Sequence, residues 1–212
     1  WLAVLLMLPS VMRAQSTTLT VADGTDRNNH LPIYGLYLDY TGHNQVIYPE
    51  SMLVDMLGAT ISSITFYMET VPTTPWAHTF EFGLGTTTTS NFSDENLITT
   101  GISTVYTGTI SVNSQITVTF TTPFVYNGGN LVLDVQNIAG GYSGGYFYGT
   151  TTSQAAGIYS YVSSYGSETI HNQTFIPKTT FTYSGGATCL SPSSLQISGL
   201  NTNVATLTWS PR

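Results

Sequence analysis

Few residues in this chain are equipped for chemistry: four histidines, eleven carboxylates and one cysteine among 212 positions. His30, His43, His78 and His171 stand apart from one another, each in a polar or turn-like context. A serine or cysteine hydrolase needs its nucleophile beside a histidine that a carboxylate orients. No Gly-x-Ser-x-Gly elbow is expected around any serine and the histidine contexts carry no motif for that arrangement, so we expect loop or surface histidines and no catalytic residue. Zinc needs clustered ligands such as HExxH or paired CxxC, which do not occur, and the lone Cys189 cannot build a thiolate site. No cofactor or resident metal is expected on these grounds. Calcium draws oxygen ligands from loops. Asp23 and Asp26, with carbonyls near Asn28, form a weak calcium candidate that an Asx-type turn explains better. Glycoside hydrolysis takes two carboxylates across a cleft. Asp94 and Glu95 are adjacent, would face opposite ways in a strand, and read as solvated loop charges.

A denser signal lies in residues 140–165, where Tyr142, Tyr146, Phe147, Tyr148, Tyr159, Tyr161 and Tyr165 sit among Gly, Ser and Thr. Sugar sites stack rings on sugar faces, and tyrosine adds a hydroxyl; Tyr-Gly-Ser surfaces also recognise proteins. Tyr142, Tyr146, Tyr148, Tyr159 and Tyr161 are therefore the candidate ligand-binding residues. The alternative is ordinary strand tyrosine, half packed and half exposed.

The elements that must position these residues are strands. Alternating or β-rich runs occur at 17–21, 33–40, 60–68, 79–84, 105–112, 115–120, 130–135, 146–148, 158–162 and 179–183. Residues 60–68 set Ile61 apart from Ile64, Phe66 and Met68, and 79–84 turn Phe80, Phe82 and Leu84 inward. Asn113-Ser114 has hairpin-like spacing, and Asn127-Gly128-Gly129 is a strong turn. Residues 86–90 read as a loop. One helical signal stands out at 49–57, with Pro49 at a first helical position, Glu50 at the positive end of the dipole and Gly58 as the stop. It predicts a two-turn helix plugging one end. About ten short strands with one short helix predict an all-β, jelly-roll-like antiparallel sandwich.

Composition agrees. Charged residues are 7%, against roughly 25% in an ordinary soluble domain. Thr, Ser, Asn and Tyr take their place, so neutral hydroxyls are expected on the outward faces. The net charge is −7, and Arg13, Arg27, Lys178 and Arg212 are the only basic residues. Nucleic acids and anionic membranes both demand clustered Lys or Arg, and neither is an expected partner.

Residues 2–8 form an apolar run, Pro9 and Ser10 break it, and small Ala14 precedes Gln15. That order reads as the end of a secretory signal over residues 1–14 with its basic region missing; a membrane anchor needs about 20 apolar residues. The chain opens on Trp1 and stops at Arg212 inside a strand pattern, so we expect part of a longer secreted or cell-surface protein. The sandwich is expected over 15–184 and a linker over 185–188. A cut-off second domain over 189–212 would have Ala205, Leu207 and Trp209 on one strand face and a turn at Gly199-Leu200-Asn201. Cys189 is read as a small buried hydrophobe or the partner of a downstream cysteine.

The stretch CLSPSSLQISGLNTNVATLTWSP resembles the first two strands of a fibronectin type III module, with Trp209 as the core tryptophan that the resemblance implies. LPIYGLYLDYTGHNQVIYPESML, ISSITFYM, PFVYNGGNLVLDV, GYFYGTT and FIPKTTFTYSGG together resemble the N-terminal sandwich of modular secreted and surface proteins of Bacteroidetes. The resemblance implies surface display, often with a C-terminal type IX sorting domain. The expected function is a non-catalytic structural or adhesive module, meeting a glycan or a host or cell-surface protein. The alternatives are a carbohydrate-binding module and an accessory domain of a secreted peptidase or glycoside hydrolase.

Overall fold

The computed structural model describes residues 16–34, 41–73, 76, 78–138, 144–162 and 168–186, together with the backbone of 193–201 and 204–210. Residues 1–14, expected to be a signal, lie outside the described residues with Cys189, Tyr142, Tyr165 and most of the 33–40 run. Ile33 and Tyr34, expected to open that strand, are not in strand conformation.

Two antiparallel sheets pack face to face. One has the order β1 (Thr17–Val21), β13 (Thr179–Gly185), β4 (Ala59–Thr70), β9 (Tyr146–Thr151) and β12 (Phe175–Pro177), with β2 (Asp26–Asn28) on β9 and β7 (Gln115–Tyr126) on β4. The other runs β11 (Glu168–Gln173), β10 (Gly157–Val162), β3 (Thr41–Tyr48), β8 (Asn130–Asn137), β5 (Phe80–Thr87) and β6 (Ile102–Gly108). The chain changes sheet at most of its connections, the jelly-roll habit. β14 (Ser193–Asn201) and β15 (Val204–Ser210) form a separate two-stranded pair. Asn201 pairs Val204, so the chain reverses after Asn201 rather than at Gly199-Leu200-Asn201.

Period two sends alternate side chains to opposite faces. Phe80, Phe82 and Leu84 are fully buried between the sheets with Phe66, Phe147 and Phe181. Each such burial is worth about 1.5–3 kcal/mol. The outward residues of the seven-stranded sheet carry hydroxyls that pair across strands: Thr65 with Thr117 at 2.9 Å and Thr20 with Thr180 at 2.7 Å.

Four local expectations are corrected. Residues 49–57 form two 3-10 turns, Glu50–Met52 and Val54–Met56, broken at Leu53. Leu53 and Met56 enter the core while Met52 stays exposed, so burial of two side chains shapes the segment more than the helical ladder does. Ile61 is not set apart from Ile64; both are fully buried. Against β13, Ser63 pairs Thr182 and Ile61 pairs Tyr183, so Ser62 is one added residue and the parity flips. The Asn113-Ser114 turn joins β6 and β7, which lie in different sheets, so it is an arch and not a hairpin. Thr86 and Thr87, expected in a loop, extend β5.

Candidate functional site

The most polar stretch of the six-stranded sheet was not foreseen as a strand. β3 reads Thr-Gly-His-Asn-Gln before it turns apolar. It is nonetheless a central strand, because its polar side chains find partners on β8 and on the loop after β5. Residues paired in an antiparallel ladder share a face. The register therefore lines up two outward rows across β10, β3, β8 and β5. The first is Ser160, His43, Gln136 and Glu81; the second is Ile158, Gln45, Asp134 and Gly83.

Asp134 anchors these rows, its side chain only 5% exposed. Its Oδ1 accepts from His43 Nε2 at 2.5 Å and Gln45 Nε2 at 2.6 Å, and its Oδ2 accepts from Gln136 Nε2 at 3.1 Å. An ionised carboxylate only accepts, so His43 carries its proton on Nε2. Burial alone would raise the Asp134 carboxyl. The bonds and charge of His43, with the amides of Gln45 and Gln136, outweigh burial and hold it below the usual carboxylate value. Gln45 is itself fixed, accepting from Ile98 N at 2.8 Å and donating to Ile98 O at 2.7 Å. Residues 88–101 cross the same face. Phe92 of that loop is fully buried against Ile47, Val132 and Ile158 in a second, smaller apolar cluster. Gly83 matters here, since a Cβ would meet Ile102 Cγ2 at 2.5 Å.

Two hollows, of about 240 Å³ and about 330 Å³, open on this face; His43 and Gln136 line both, and Asp134 lines the first. The first is flanked by Glu81, whose Oε1 accepts from Thr104 Oγ1 at 3.1 Å. The second is flanked by Ile138 and Val162, which are among the exposed large aliphatics.

The predicted aromatic residues divide between the sheets. Tyr146 and Tyr148 flank buried Phe147 and so point outward from the seven-stranded sheet. The Arg27 guanidinium sits 5.0 Å from the Tyr146 ring centroid and 3.4 Å from Glu69, covering one ring face. Tyr159 and Tyr161 share the inward face of β10 with Asn44 and Gly42 of β3. There they join a stack with His30 and Tyr34: Tyr159 lies 4.3 Å from His30 and 5.1 Å from Tyr34, and Tyr161 5.3 Å from Tyr34. Asn44 Nδ2 donates to the carbonyls of His30 and Pro32, pinning this loop over the strands. Burial and the nearby charge of His171 lower the His30 ring to about 4.

The remaining sequence candidates fall elsewhere. Asp23 pairs with Lys178, while Asp26 accepts from the Thr151 amide at 2.8 Å. An Asx turn does form nearby, at Asn28, whose Oδ1 accepts the amides of His30 and Leu31. Among the described residues, no three His, Cys, Asp or Glu side chains converge to hold a metal ion. Asp94 and Glu95 are exposed in their loop. His78, expected at the surface, is fully buried near Phe80, and His43 is held by Asp134 rather than standing alone. Residues 141–145, Gly-Tyr-Ser-Gly-Gly, have the Gly-x-Ser-x-Gly spacing of a hydrolase elbow, contrary to the expectation that no serine carries it. That elbow is a strand-to-helix turn, whereas this run lies between strands β8 and β9, with Ser143 outside the described residues.

Sequence reasoning passed over Glu81, Gln45, Asp134 and Gln136. One signal was available: Asp134 interrupts the apolar run Leu131, Val132, Leu133 and Val135. A carboxylate in a central strand must be paired. No helix among the described residues is long and apolar enough to cross a membrane. Comparison with known proteins found no matching family model, no similar curated protein and no similar solved structure.

Proposed function

We propose that this chain is a non-catalytic module of an extracellular, multidomain protein, serving as a scaffold or an adhesive surface. The observation that carries the reading is how its outward polar groups are spent. Thr20, Thr65, Thr117 and Thr180 bond across strands, and Tyr67 Oη reaches Thr180 at 2.8 Å. Asp134 has its hydrogen bonds committed to His43, Gln45 and Gln136. Groups bonded to one another make a rigid presenting surface, whereas acid–base chemistry needs a group free to exchange protons with a substrate. Low charge and the export-like residues 1–14 support display outside the cell. The test is protease shaving of intact cells making the full-length protein, followed by an attachment assay. The expected result is that external protease removes the domain and that its deletion lowers attachment or surface assembly. Retention of the domain inside the cell would overturn the reading.

A second reading, carbohydrate binding, is favoured by one observation. The groove at His43 gathers carboxylate, amide and hydroxyl groups beside exposed aliphatic side chains. Such a mixture suits a ligand with both hydroxyls and CH faces.

A further inference from the structure

We propose that the outward groove of the six-stranded sheet, rather than the tyrosines of the opposite sheet, is the ligand site, and that it takes a neutral oligosaccharide. The inference rests on the carbohydrate-binding reading above and gives it a place. The two hollows meet at His43 and Gln136. A chain of sugars would therefore cross β5, β8 and β3, with one unit between Glu81 and Asp134 and the next toward Ile138 and Val162.

Three features point to this chemistry. The first hollow mixes acceptors and donors: the Glu81 carboxylate, the Gln136 amide and the Thr99 and Thr104 hydroxyls. Vicinal sugar hydroxyls need both types, and a carboxylate accepts two at once. Secondly, the polar floor is already built. Asp134 is 5% exposed and triply bonded, and Gln45 behind it is locked to the Ile98 backbone, so little ordering remains to be done on binding. Thirdly, Ile138 and Val162, 49% and 38% exposed, offer apolar contact for the CH face of a second unit. Charge selects against other ligands. No Lys or Arg lines either hollow, and Glu81 and Glu168 stand at their edges. A phosphate, sulfate or uronate would meet repulsion without a counter-charge.

The test is a microarray of neutral gluco-, manno-, xylo- and galacto-hexaoses probed with the full chain, then calorimetric titration of the strongest binder. Glu81→Ala should weaken binding roughly tenfold without moving the urea unfolding midpoint, and Gln136→Ala should weaken it as much with a small fall in midpoint, because Asp134 loses one donor. Tyr146→Ala with Tyr148→Ala should leave affinity within about twofold, because those rings belong to the other sheet. Raising sodium chloride from low to high concentration should change affinity little, since a neutral ligand releases no counterions. Full binding by the Glu81 and Gln136 variants, with loss in the tyrosine variant, would overturn the site and leave carbohydrate binding standing. A steep salt dependence would show that charge, rather than hydroxyl and CH contacts, carries the binding and would overturn the assignment. Silence across the array would overturn the site and the carbohydrate reading together.

Discussion

Strands β3 and β10 carry two different environments on alternate residues. Outward, His43 and Gln45 converge on one buried carboxylate beneath the 88–101 loop. Inward, Asn44, Tyr159 and Tyr161 lie beneath the loop at 29–34, with His30 stacked on the rings. A step of one residue along either strand exchanges an ionic site for an aromatic one. The comparison teaches that a histidine in a sandwich takes its character from the face it reaches. His43 meets a negative partner. His30 meets rings and a second histidine, which favours its neutral form.

Removing the outward acceptor should have the largest effect. Asp134→Ala leaves the His43 and Gln45 donors without their shared carboxylate in a site closed by Phe92 and Ile98. It should cost about 3–5 kcal/mol in urea unfolding. A loss under about 1 kcal/mol would mean the carboxylate does not organise that face. On the inward side, Tyr159→Ala should cost about 2–4 kcal/mol, since Tyr159 is the buried ring on which His30, Tyr34 and His171 converge. If it cost as little as an exposed tyrosine, the stack would be incidental to the fold.

Acid separates the two faces further. His30 has a folded value of about 4 against an ordinary 6.5, so between those values the unfolded chain binds the extra proton. The contribution of neutral His30 is thus present above about pH 6.5 and drains away as pH falls toward 4. The loss should be on the order of 1–2 kcal/mol, reduced by the ring's partial exposure. His30→Phe should flatten unfolding midpoints over that window, and an unchanged slope would refute the assignment. Asp134 acts lower on the scale. Its folded value lies below the ordinary 3.8, so its contribution is present above that value and disappears as pH falls through the folded one. Asp134→Asn should be less stable at neutral pH, yet lose less between pH 5 and 2. The smallest effect belongs to the seven-stranded sheet: Thr65→Ala breaks one exposed hydroxyl pair and should cost about 0.5 kcal/mol or less.

The all-β class was legible from composition and period alone. Alternation in 79–84 predicted the buried Phe80, Phe82 and Leu84, and β1, β8, β10 and β13 fall where the runs occur. The candidate site was half legible. The tyrosine run was visible, but its division between two sheets was not, because the run gives no register for β9 or β10. β3 was missed for the same reason that it matters. His43, Asn44 and Gln45 read as loop residues unless partners far along the chain accept their hydrogen bonds, and Asp134 lies 91 positions from His43.

By itself, then, the sequence determined strand content, the hydroxyl-rich outward faces and the inward apolar stripes, because these follow from the local alternation of side chains. Only the tertiary structure decided which strands lie side by side, how the added residue near Ser63 returns Ile61 to the core, and which polar groups meet at Asp134. Those outcomes depend on pairing between distant segments, and a buried polar side chain is stable only once its partner has been brought to it.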